Sequence, residues 1–80
     1  MGAALLQLLG RQPFRPFRIY LSSGITHVVR HPEMAIVGGL YLMLQTPSAN
    51  ALLAADREFF IALEHIVQLE IIDSVNPAQN

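Results

Sequence analysis

The stretch FRIYLSSGITHVVRHPEMAIVGGLYLMLQ, residues 17–45, decides the fold. From Phe17 to Leu21 the residues alternate. Phe17, Ile19 and Leu21 face one side, and Arg18, Tyr20 and Ser22 face the other. That period of two belongs to a half-buried strand. Ser22-Ser23-Gly24 is a hairpin turn signal. Ile25 to His31 is rich in β-branched residues and predicts a second strand. Pro32 interrupts it with a bend, a bulge or an edge, and Met34 to Val37 resumes it. Gly38-Gly39 predicts another tight turn, followed by a third strand from Leu40 to Gln45. Leu40, Leu42 and Leu44 share one face of that strand, Tyr41 and Met43 the other. With both faces apolar, it belongs at the centre of a sheet or at an interface.

Upstream, Ala3 to Leu9 predicts a short helix with Leu5, Leu6 and Leu9 on its apolar face. Gly10 is expected to close it in a left-handed cap. Two turns do not hold alone in water, so the helix must dock. Residues 11–18, RQPFRPFR, contain two prolines and predict an extended connector pinned by Phe14 and Phe17.

Downstream, residues 46–57 read as a long loop with at most one helical turn, since TPSAN is turn-like. Glu58 to Leu63 predicts a fourth strand, Glu64-His65 a tight break, and Ile66 to Ile72 a fifth. The alternative is one helix over 51–71. The β-branched and aromatic residues Phe59, Phe60, Ile61, Ile66, Val67, Ile71 and Ile72 weigh against it. The tail DSVNPAQN, 73–80, reads as disordered. The expected architecture is mainly β, a single domain over 1–72: a short helix, then five strands in a small, strongly bent barrel.

Composition sets the function classes. The chain has 80 residues, 52% of them hydrophobic and 14% charged, with a net charge of −1. A typical soluble domain carries ~25% charged residues. Domains of this size bury only ~60% of their unfolded surface. The absence of cysteine removes disulfides, thiolate metal sites and thiol catalysis. The apolar excess is therefore expected to be buried against further copies of the chain. Charge is unevenly split. Arg11, Arg15, Arg18 and Arg30 against Glu33 give residues 1–40 a sum of +3. Arg57 against Asp56, Glu58, Glu64, Glu70 and Asp73 gives residues 41–80 a sum of −4. That asymmetry suits a head-to-tail contact between copies. The charge-free run 34–55 is broken by Gly38-Gly39, Gln45, Pro47 and Asn50, so no membrane span is expected. No basic segment or cleavage site marks a signal peptide, and a cytoplasmic protein is expected.

The order of elements resembles the Sm/LSm-like fold, an SH3-type barrel. Residues 17–34, FRIYLSSGITHVVRHPEM, are similar to that family's first motif. There, a strand, a glycine turn and a longer bent strand carry an acid and a methionine. Residues 60–71, FIALEHIVQLEI, are similar to its fourth and fifth strands. His65 falls where bacterial Sm-like proteins place the histidine of a Lys-His pair. The whole pattern PFRPFRIYLSSG…HPEM…HIVQLE also resembles a set of short bacterial proteins that bring no activity with them. The resemblance implies a ring of copies joined through edge strands and, as an alternative, RNA or single-stranded DNA binding. The chain departs from the RNA-binding pattern: Ala35 follows Met34 where the family has Asn, no Arg-Gly pair occurs, and Glu64 precedes His65 where bacterial relatives carry Lys.

Four residues are candidates for a nucleic-acid surface: Arg11, Arg15, Arg18 and His65. The three arginines interleave with Phe14, Phe17 and Tyr20. Guanidinium forks grip phosphates and aromatic rings stack on bases. The structural alternative has the phenylalanines in the core and the arginines paired with Glu64, Glu70 or Asp73. His31, Glu33 and His65 are the residue types of a metal site, but a structural role for each is expected. His27 and His31 lie roughly 13 Å apart along a strand and cannot share an ion. With no Ser-His-Asp arrangement, phosphate loop or close acid pair, neither catalysis nor a cofactor is expected. The strands 40–44 and 59–63 are a candidate sticky face for a partner protein, but core and homo-oligomer packing is the role expected of them.

Overall fold

The computed structural model describes residues 1–46 and 57–72. Helix α1 (Gly2–Leu9) is followed by strands β1 (Phe17–Leu21), β2 (Thr26–Val29), β3 (Ala35–Val37), β4 (Tyr41–Thr46), β5 (Arg57–Ala62) and β6 (Ile66–Ile71). Two antiparallel three-stranded sheets result, ordered β2-β1-β6 and β3-β4-β5. The fold is mainly β, as the alternation requires, and 57–71 forms strands rather than a helix.

There are six described strands rather than five, because Pro32 divides the expected second strand. Residues 32–34 form a 3-10 turn, which sends β2 into the first sheet and β3 into the second. Proline has no N–H for a ladder and its φ suits the first position of such a turn. The two sheets, not a closed barrel, are the observed architecture. Two further expectations are corrected in α1. Leu5 is buried and Leu8 and Leu9 pack beside it on the core, whereas Leu6 is 59% exposed. Residues 5, 8 and 9 share a face at i, i+3, i+4, and position 6 is turned about 100° away. Gly10 closes the helix at φ −92°, outside the left-handed region, with its N–H on the Leu6 carbonyl at 3.0 Å. The glycine that does use positive φ is Gly24, at +95° in the β1–β2 hairpin. The expected loop 46–57 begins and ends in strand. Its residues 47–56, like the tail 73–80, lie outside the described residues.

The core lies between the inward faces of the two sheets. Phe17, Ile19 and Val29 from the first sheet meet Ala35, Leu42, Leu44 and Ile61 from the second, with Leu5 of α1 and Ile66 of β6. Strand registers align these residues in rows. Ala35, Leu44 and Phe59 form one inward row; Val37, Leu42 and Ile61 form the next. The row between them, Ile36, Met43 and Phe60, points outward. Thr46 and Arg57 are register partners at the far end of the β4–β5 pair.

Hydrogen-bond parity fixes which backbone groups face the outer side of β5, the edge left open among the described residues. The Leu63 N–H donates to the Leu40 carbonyl at 2.9 Å, and the Gly38 N–H to the Tyr41 carbonyl at 2.8 Å. In an antiparallel ladder the bonded pairs alternate. Leu42 therefore exchanges bonds with Ile61, and Leu44 with Phe59. The N–H and C=O groups of Glu58, Phe60 and Ala62 consequently point away from β4, along the sheet's outer edge.

Candidate functional site

The four residues singled out in the sequence do not converge. Arg11 and Arg15 sit exposed on the connector between α1 and β1. Arg18 lies on the outer face of the first sheet, opposite Glu70 in the β1–β6 register. Its Nη1 donates to Glu70 Oε1 at 3.1 Å, and the Tyr20 hydroxyl donates to the same oxygen at 2.6 Å. One of the carboxylates expected to pair with the arginine cluster thus does so. His65 belongs to the 3-10 turn Leu63–His65 between β5 and β6. Its Nδ1 is 3.4 Å from Ser22 Oγ, and its carbonyl accepts the Ser22 N–H at 2.8 Å. This fastens the β5–β6 turn to the β1–β2 hairpin. His31 and Glu33 flank Pro32, on a different part of the chain from His65. Among the described residues no three His, Asp or Glu side chains gather as a metal site.

The Tyr20 hydrogen bond is the main reason that the Glu70 carboxyl is held below the usual carboxylate range, with Arg18 adding to it. A depressed carboxyl contributes stability that is fully present above about pH 4.3 and is lost as pH falls through the lower folded value. Tyr20→Phe should raise the Glu70 titration midpoint followed by NMR. An unchanged midpoint would remove Tyr20 as its cause.

A second constellation was hidden in the sequence. A groove of about 480 Å³ runs between the open edge of β5 and the β1–β2 hairpin. Leu21, Ile25, Phe59, Phe60, Ile61 and Ala62 line it with His27, His65, Ser22 and Ser23. The His27 ring packs on Phe59 with centroids 4.6 Å apart, and the Arg57 guanidinium lies 5.8 Å from the same ring. Burial holds the His27 imidazole below its usual pKa. On the outside of the second sheet, Ile36 is 60% exposed and Phe60 66%, with Tyr41 and Leu40 exposed beside them. Leu40 precedes β4 and does not join Leu42 and Leu44 inside. The adjacent pair Phe59-Phe60 was the available signal: neighbours in a strand point to opposite faces, so one ring must face out.

This arrangement offers hydrogen-bonding backbone, apolar side chains and little charge, the features of a surface that binds an extended chain. No helix among the described residues is long and apolar enough to cross a membrane. No family model, curated protein or solved structure matches the chain.

Proposed function

We propose that this protein is a small self-associating β module, assembling edge to edge into a homo-oligomer with an interaction or scaffolding role and no catalytic one. The open edge of β5, with Phe60 exposed at its centre, carries this reading. Unpaired strand edges template pairing with another chain unless proline, lysine, a bulge or a cover blunts them. In β5 the Glu58–Ala62 stretch has neither proline nor lysine. The outer edge of β6 is a complementary surface on the next copy, so that a heterologous contact repeats and closes as a ring. The opposed charge sums of the two chain halves favour that head-to-tail order. The order of helix, hairpin, bent 26–37 segment and tight β5–β6 turn supports an Sm-like version of this assembly.

The test is the solution mass of untagged protein at micromolar concentration, in low and high salt, with and without nuclease. A salt-stable oligomer free of nucleic acid is expected. A monomer throughout would overturn the reading. An oligomer that carries nucleic acid and sheds it in high salt would move RNA binding ahead of scaffolding.

A further inference from the structure

We propose that self-association through the β5 edge is switched off by acid, with His27 as the sensing group. The inference rests on the self-association reading and adds its regulation. A strand from a second copy seated on the β5 edge occupies the groove beside it and covers His27, which lines that groove together with Phe59 and Phe60.

The surroundings of His27 disfavour its charged form. Its ring lies on the apolar face of Phe59. The charged group on the same ring is the Arg57 guanidinium, a cation. From the β5–β6 turn the groove receives the His65 imidazole, which offers no negative charge. From β1 the register partner is Ile19, and from the hairpin the groove receives Ser22 and Ser23, all uncharged. Glu58, next to Phe59 on β5, points to the outer face, where its Oε2 accepts from Gln45 Nε2 at 3.4 Å. No carboxylate is among the described residues lining the groove. The depressed pKa of His27 in the single chain agrees with this environment.

Covering the groove removes the water that solvates an imidazolium, and the acid carried on an incoming β6, Glu70, is already held by Arg18 and Tyr20 of its own chain. The associated form therefore binds fewer protons than the separate chains. By linkage, lowering the pH favours separation. The limiting dependence is about a tenfold loss of association constant per pH unit for each His27 covered.

Sedimentation equilibrium across about pH 8 to about pH 5.5 tests this on the full chain, with far-UV circular dichroism confirming the fold at each point. The wild-type association constant should fall with acid, while His27→Phe, which keeps a ring on Phe59 but cannot titrate, should stay flat. His27→Gln serves the same purpose if the phenylalanine variant does not fold. His65→Phe is the control for the second imidazole of the groove: a slope lost in it and kept in both His27 variants overturns His27 as the sensing group. A flat wild-type curve, or equal slopes in wild type and both His27 variants, overturns the switch and leaves self-association standing. Monomer already at about pH 8 overturns self-association, and the switch with it.

Discussion

Under the proposed edge-to-edge association, Phe60→Pro should leave a folded monomer. The N–H of Phe60 points to the outer edge of the second sheet, so proline there removes no bond of the β4–β5 ladder. Its ring constraint is compatible with an edge position, and the side chain it replaces is 66% exposed. The isolated chain therefore loses little. The contact between copies loses a central backbone hydrogen bond, about 1 kcal/mol, and the burial of a phenylalanine, about 1.5–3 kcal/mol. Together these weaken association by roughly 100- to 1,000-fold. Phe60→Val keeps the N–H and much of the apolar surface, so it should associate more tightly than the proline variant. Light scattering on the three proteins decides the matter. A proline variant with the wild-type mass would mean that the copies meet elsewhere.

The second large effect concerns the interior. Phe17 is fully buried, with Val29 and Ile71 as its register partners in the flanking strands. The Phe14 ring packs at 6.1 Å, so the connector is pinned where β1 begins. Phe17→Ala removes a ring from between three strands and leaves a cavity that they cannot all close. The expected cost is about 3–5 kcal/mol. A domain of this length has a total stability of about 4–12 kcal/mol. The variant should be largely unfolded at moderate temperature or in dilute urea, as read by circular dichroism. A loss under about 1 kcal/mol would show that the core is not organised around β1.

Local chemistry explains which parts of the fold were legible in the sequence. Phe17–Leu21 alternates cleanly and is a strand with the expected bounds. Ser22-Ser23-Gly24 turns as its glycine suggests. The strand count came out one short because a proline within a β-branched run is compatible with either a bend or a change of sheet. Which occurs depends on partners distant in sequence: β1 for residues 26–29 and β4 for residues 35–37. The arginine cluster looked continuous along the chain, yet strand geometry turns Arg18 outward towards Glu70, fifty-two residues away. The groove was not legible at all. His27 meets Phe59 only because the two sheets face each other, and no local pattern records that meeting. The exposed Phe60 was foreseeable only as half of a pair.

The pairing of Thr46 with Arg57 has a consequence for engineering. The chain leaves the second sheet at Thr46 and re-enters it at its register partner Arg57, so any excursion between these two positions has both ends held by the ladder. Lengthening such an excursion adds closure entropy only logarithmically, about 0.6 kcal/mol for each doubling. A fluorophore-bearing peptide or an affinity epitope spliced between Thr46 and Arg57 starts from two ends that the β4–β5 ladder already holds together. The splice point lies at the opposite end of β5 from Ala62, so a reporter placed there marks this strand at the end away from the turn to β6.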